Sequence, residues 1–177
     1  FIVGIVSLCL SWGYTGGRYS LAYRGLGDIF VFIFFGLVAT AGTYYILHGE
    51  LSVSALLLGC IPGAFAANIL GVNNLRDRET DVKVGKRTFP VRFGAKAARI
   101  LYILMTLVAY LSSVYLYLTE GSVWVLLPLI TIPIGVILCR KVITLEGEQL
   151  NAVLAQTGAL LAVYGLLSAV GLVVATI

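Results

Sequence analysis

Between two long apolar runs the chain reads Asn73-Asn74-Leu75-Arg76-Asp77-Arg78-Glu79-Thr80-Asp81, and the polar stretch continues through Lys83, Gly85, Lys86, Arg87 and Thr88 to Gly94. Residues 73–81 hold three of the eight acidic residues, and eight of the twelve basic ones lie between Arg76 and Arg99. Read as a helix, Asn73, Asp77 and Asp81 fall at i, i+4 and i+8 on one face, with Glu79 on the other. Carboxylates one turn apart repel each other by roughly a few tenths of a kcal/mol unless a cation sits between them. Lys83, Lys86 and Arg87 follow at once, around a glycine at which the chain can bend. Hard carboxylates beside ammonium and guanidinium groups suit Mg²⁺ bound to a phosphorylated ligand: the metal takes one or two carboxylates plus phosphate oxygens, and the cations hold the remaining phosphate charge. The plainer alternative is a solvated loop whose charges only orient the chain in a membrane.

The elements that must carry this stretch are apolar. Hydrophobic residues make up 60% of the sequence and charged ones 11%, and the mean hydropathy is +1.02. Such values exclude an ordinary soluble domain and indicate an all-α, polytopic transmembrane bundle. The net charge of +4 is too segregated for nucleic-acid binding and reads as membrane orientation. Cys9, Cys60 and Cys139 lie far apart in apolar surroundings, with no metal-ligand spacing and no evident disulfide.

About six spans are expected. Phe1 to Tyr14 is too short for a full crossing, which needs roughly 20 apolar residues, and reads as the end of a truncated helix. Ile29 to Leu47, Leu51 to Val72, Ala97 to Leu118, Val123 to Cys139 and Asn151 to Ile177 follow, the fifth span bent or packed around Pro128 and Pro133. Tyr44 and Tyr45 read as an interfacial belt. Small residues in the last span, among them Gly158, Ala162, Gly165, Ala169 and Gly171, would let helices approach closely. All twelve basic residues fall on alternate connections: Arg18 and Arg24 on the first, Arg76 to Arg99 on the central one, Arg140 and Lys141 on the third. The turns at His48–Glu50 and Thr119–Ser122 contain none. By the positive-inside rule the basic connections are cytoplasmic. They then converge on one site, with an apolar cavity expected beneath the central loop, as an amphiphile with a diphosphate head and a hydrocarbon tail would require.

The run from Asn73 to Asp81 followed by Gly85-Lys86-Arg87-Thr88 resembles the second aspartate-rich motif of UbiA-type intramembrane prenyltransferases. With Tyr14-Thr15-Gly16-Gly17 and Tyr23-Arg24-Gly25-Leu26-Gly27-Asp28, it is most similar to the 1,4-dihydroxy-2-naphthoate polyprenyltransferases of menaquinone biosynthesis. The resemblance covers about Trp12 to Gly94 in motifs. It implies a single membrane-embedded domain over 1–177, in the bacterial inner membrane, belonging to a nine-span parent. It implies that Asp77 and Asp81 bind Mg²⁺ and that Lys86, Arg87 and Arg24, with Asn73 and Asn74, hold the diphosphate of a polyprenyl donor. Departure of diphosphate leaves an allylic cation, which the aromatic acceptor attacks with loss of CO₂; Tyr19 and Tyr23 would line the cation's position by cation–π contact, a role to set against plain interfacial anchoring. The family's first aspartate-rich motif, which would share the Mg²⁺, is not in these residues, so the 177 residues alone are expected to be inactive.

Other polar residues have simpler readings. Asn68 in a span either hydrogen-bonds a neighbouring helix or reaches the substrate, and packing is the preferred role; Asn151 and Gln156 are read the same way. Glu79 is solvated or paired with a loop arginine, and His48 lies in the outer turn, away from the chemistry. The competing readings are a prenyltransferase for another acceptor, such as 4-hydroxybenzoate or homogentisate, and half of a membrane transporter, whose polar site should lie near mid-membrane.

Overall fold

The computed structural model describes residues 2–15 and 24–176. Among these residues the chain is helical, without strands. α1 (Ile2–Thr15) is followed by α2 (Gly27–His48), α3 (Val53–Arg76), the short α4 (Arg78–Lys83), α5 (Phe89–Glu120), α6 (Val123–Thr144) and α7 (Gly147–Ala175). Five of them, α2, α3, α5, α6 and α7, are long and apolar enough to cross a membrane. The protein is an integral membrane protein.

α3 is the central helix. Half of its most apolar window is buried, against a third or less for the other spans. Its sequence explains this: Gly59, Gly63, Ala64 and Ala67 present little bulk, so neighbouring backbones come close. The tightest approach is to α2, where a Cβ on Gly36 would lie 2.5 Å from the Gly59 carbonyl oxygen and 2.6 Å from the Gly63 Cα. Here α2 widens into a π-helical stretch, Phe32–Val38.

With no water to satisfy polar groups, hydrogen bonds pair the spans from within. The Asn68 amide donates to Thr106 Oγ1 (2.9 Å), joining α3 to α5. Tyr102 and Thr157 share a hydrogen bond of 2.9 Å and Ser113 and Tyr164 one of 2.8 Å, both joining α5 to α7. Tyr110 and Thr131 share one of 3.0 Å from α5 to α6. Phe65, Tyr110 and Tyr164 meet ring to ring at centroid distances of 5.2–6.4 Å.

The prolines act as expected. Val123–Thr131 of α6 is a 3₁₀ segment containing Pro128, and regular α-helix resumes at Ile132 with Pro133 in its first turn, where no N–H is missed. Among the described residues the small residues of the last span are packed at one position. Cβ atoms on Gly158 or Gly165 would meet nothing within 4 Å, and Ala162 and Ala169 are exposed, whereas Gly171 is packed under the main chain of Trp124. Composition marked the residues that permit close approach without saying which face has a neighbour.

At one end of the bundle Ser54 hydrogen-bonds Glu120, so the two connections without Lys or Arg lie together. At the other end the three basic connections meet. Arg92 donates to the Arg24 carbonyl oxygen (2.7 Å), Arg76 to Asn151 Oδ1 (2.7 Å), and Arg99 to the Val142 carbonyl oxygen and to Glu146 (3.1 and 2.9 Å). The alternation of charge along the sequence is thus an alternation of ends.

Candidate active site at the basic end

The helix carrying the central motif is not continuous. α3 ends at Arg76, Asp77 takes φ −89° and ψ 6°, and α4 resumes at Arg78. The expected single face of Asn73, Asp77 and Asp81 is therefore broken at its middle member, although the Asp81 N–H still bonds the Asp77 carbonyl at 2.8 Å and keeps the two one turn apart. Arg76 sits at this break. Its guanidinium folds back onto Asp77 with two parallel bonds of 2.7 Å, to Oδ1 and Oδ2, and also donates to Asn73 Oδ1 at 2.8 Å. These are charge-assisted bonds between neighbouring side chains. They also hold the Asp77 carboxyl below the usual carboxylate range, with the charges of Arg76 and Lys86 adding to the effect against partial burial.

Asp81 is buried, 4% exposed. Lys86 Nζ lies 3.1 Å from its Oδ1, and Thr88 Oγ1 donates to Oδ2 at 3.4 Å. What brings Lys86 back is the end of α4. The Lys86 N–H bonds the Asp81 carbonyl and the Gly85 N–H bonds the Val82 carbonyl, with Gly85 at φ +75°. This is the Schellman arrangement, and it needs a left-handed residue at the position glycine holds. The lysine that reverses direction at Gly85 lands on the aspartate one turn before it.

Beyond Thr88, a short helical turn carries the chain to Gly94 (φ 84°, ψ 163°), where α5 kinks before entering the bundle. The preceding loop docks here. A Cβ on Gly25 would lie 2.7 Å from the Arg87 carbonyl oxygen, so the Arg24–Gly25 turn sits directly on the Arg87–Thr88 backbone. Arg24 and Arg87 are both exposed. Asn74 is half-buried, and Asn68 is spent on Thr106, as packing requires. Tyr19 and Tyr23, like Arg18, lie outside the described residues.

The structure thus brings Asn73, Asp77, Asp81 and Lys86 together, with Arg24 and Arg87 at the rim. Sequence reasoning missed Arg76, Thr88 and Arg92. Arg76 had a signal, since it is adjacent to Asp77 and three residues from Asn73. Asn151, read from sequence as bonding a neighbouring helix or reaching the substrate, bonds Arg76 of α3 across 75 positions, and its partner was not legible. His48 is at the opposite end, stacked on Tyr44 at 4.3 Å. Glu79 is exposed on the far side of α4. Two open grooves flank that side, about 320 Å³ by Lys83 and Gly94 and about 410 Å³ between Arg78, Arg99 and Glu146. Among the described residues, Ala67, Ala98 and Tyr102 narrow the space between α3 and α5 beneath the loop to about 10 Å³.

No group of three or more metal-ligating side chains forms among the described residues. Two hard carboxylates one turn apart are nevertheless the donor set Mg²⁺ takes when phosphate and water complete its shell. Each already has a cation beside it, so this end of the bundle accommodates positive charge at both, and the residues fit the ion.

The model of the UbiA prenyltransferase family matches residues 1–161. This chain belongs to that family. It is 30% identical to the 1,4-dihydroxy-2-naphthoate octaprenyltransferase of Haemophilus influenzae, over 97% of this chain and 56% of the relative. With the enzyme of that name from Mycobacterium leprae it shares 33% identity over 93% of this chain and 56% of the relative. With the UbiA prenyltransferase domain-containing protein 1 of Gallus gallus it shares 32% over 95% and 49%. The chain spans about half the length of the curated relatives it matches. No solved structure matches it.

Proposed function

We propose that the full-length protein transfers a polyprenyl group from polyprenyl diphosphate to 1,4-dihydroxy-2-naphthoate, releasing diphosphate and CO₂ and giving the prenylated naphthalenediol, the reduced form of demethylmenaquinone. The observation that carries this reading is the convergence of three basic connections on one end of an apolar bundle, where Lys86 stands over a buried Asp81 and its charge also reaches Asp77. Family membership and the names of the relatives support the chemistry.

Asp77 and Asp81 are the residues that would hold Mg²⁺, together with a first aspartate-rich motif. The ion, when bound, neutralises diphosphate charge and favours departure of the leaving group. Lys86 and Arg87, with Arg24 on the turn packed against the Arg87 backbone, place fixed positive charge where the leaving oxygens develop negative charge. Asn73 and Asn74 orient that head group by hydrogen bonding. Tyr19 and Tyr23, outside the described residues, would in this reading line the allylic cation rather than only anchor the chain at the interface, and the lipid-facing spans accept the prenyl tail. In this reading the basic end is cytoplasmic, in a bacterial inner membrane.

A transport role has less support. Asn68, Thr106, Tyr102, Thr157, Ser113 and Tyr164 within the spans are spent on one another, whereas a transport site leaves such groups for cargo. The test is an acceptor panel. Membranes carrying the full-length protein, given labelled polyprenyl diphosphate, should prenylate 1,4-dihydroxy-2-naphthoate in preference to 4-hydroxybenzoate or homogentisate. Preference for either of the latter overturns the acceptor and leaves the reaction class standing.

A further inference from the structure

One buried polar group has no role in this scheme. Asp28, the second residue of α2, is 7% exposed, and its Oδ2 is enclosed with no hydrogen-bond partner among the described residues. Burying a carboxyl oxygen without a donor is unfavourable, so a donor belongs there. The side chain lines the small cavity between α2, α3 and α5, together with Asn68, Gly71, Phe89 and Tyr102. At about 10 Å³ the space matches one oxygen atom, since roughly 10–15 Å³ is what a single water needs.

Three features define the cavity as a binding site. Gly71 gives the carboxyl room: a Cβ there would lie 3.8 Å from Asp28 Oδ1. Asn68, 2% exposed, lines the same space while its amide donates to Thr106. Phe89 and Pro90, which close the cavity, directly follow Thr88, the partner of Asp81. The cavity therefore lies just behind the loop carrying Lys86 and Arg87.

We propose that Asp28 and Asn68 form a subsite for one hydroxyl-class donor, with Asp28 Oδ2 as the accepting atom. Two sources share that chemistry: an ordered water, and a ring hydroxyl of the aromatic acceptor reaching in from outside. The second source rests on the prenyl-transfer reading; the first does not.

The test combines a crystal structure of the full-length protein at about 2 Å, with and without 1,4-dihydroxy-2-naphthoate, and kinetics of Asp28→Asn, which puts an N–H₂ opposite the donor. A non-protein oxygen about 3 Å from Oδ2 in both structures, with acceptor KM unchanged in the variant, supports the site as a water site. Replacement of that oxygen by the acceptor hydroxyl, with acceptor KM raised about tenfold and donor KM unaltered, supports it as an acceptor subsite. An empty cavity, or an N–H or O–H of the protein itself on Oδ2, overturns the proposal. The unaltered protein supplies the structural readout, so the test survives a variant that fails to fold. Absence of prenyl transfer by the unaltered protein would count against the proposed function alone, because the oxygen at Oδ2 is read independently of turnover.

Discussion

At the scale of single residues, the site is a set of carboxylates each held by a named cation. Arg76 grips Asp77 with both oxygens engaged, so any metal or diphosphate that uses Asp77 must share it with this guanidinium. Replacing Arg76 with Gln removes the fork and its bond to Asn151, and apparent Mg²⁺ affinity, measured by titration calorimetry, should change. The pair also sets a pH dependence. The folded-state pKa of Asp77 is depressed by Arg76, so its contribution to stability is present above the ordinary carboxylate pKa and is lost as pH falls through the depressed one. Both side chains are partly exposed, which limits the pair to about 1 kcal/mol or less. The thermal midpoint should therefore fall slightly more between pH 6 and pH 3 for the unaltered protein than for Arg76→Gln. An equal fall in both would remove the pair from the acid response. Residue identity let the sequence name Asp77, Asp81 and Lys86. It could not show that the first is gripped by its own neighbour, because that depends on where a flexible guanidinium settles.

At the scale of elements, what places Lys86 on Asp81 is the left-handed turn at Gly85. Nothing lies within 4 Å of a Cβ there, so Gly85→Ala tests conformation alone. An L-residue in this region costs about 1–2 kcal/mol, and turnover should drop while the bundle's helix content by circular dichroism stays the same. Gly85→Asn, which tolerates the left-handed region, should retain more activity than Gly85→Ala. Equal loss in the two would mean the turn geometry is not what matters. The close packing of α2 on α3 makes a separate test: Gly36→Leu would force its side chain into the Gly59 and Gly63 backbone, costing several kcal/mol and lowering the thermal midpoint sharply without touching the charged loop. The apolar runs revealed the spans because a membrane crossing needs little more than length and hydropathy. The break at Asp77 and the kink at Gly94 were not legible, since a helical period continues through both and tertiary partners decide where it yields. The filled space between α3 and α5 was equally hidden, because span hydropathy says nothing of how closely small residues let two helices meet.

At the scale of the molecule, the alternation of charged and uncharged connections becomes a separation of ends. Ser54 and Glu120 meet at one end, and the Arg24, Arg76 and Arg99 segments meet at the other. Cysteines placed at Gly121 and at Thr80, in a background lacking Cys9, Cys60 and Cys139, should label from opposite sides of a sealed vesicle; labelling from the same side would break the topology. The gathering of the basic connections at one end was readable from sequence because Lys and Arg fall on alternate connections, whereas the inter-loop contacts depend on pairs as distant as Arg24 with Arg92 and Arg76 with Asn151. The central claim is that this end of the bundle handles a prenyl diphosphate through Asp77, and it is tested most directly by Mg²⁺-dependent transfer from labelled polyprenyl diphosphate to 1,4-dihydroxy-2-naphthoate. The comparison is between membranes carrying the full-length protein and membranes carrying its Asp77→Asn variant. The expected result is product from the unaltered protein, abolished by chelation of Mg²⁺ and reduced at least about a hundredfold in the variant, in line with loss of transition-state charge stabilisation. Intact diphosphate in every sample, or a variant as active as its parent, would contradict it and leave the charged loop as a determinant of orientation alone.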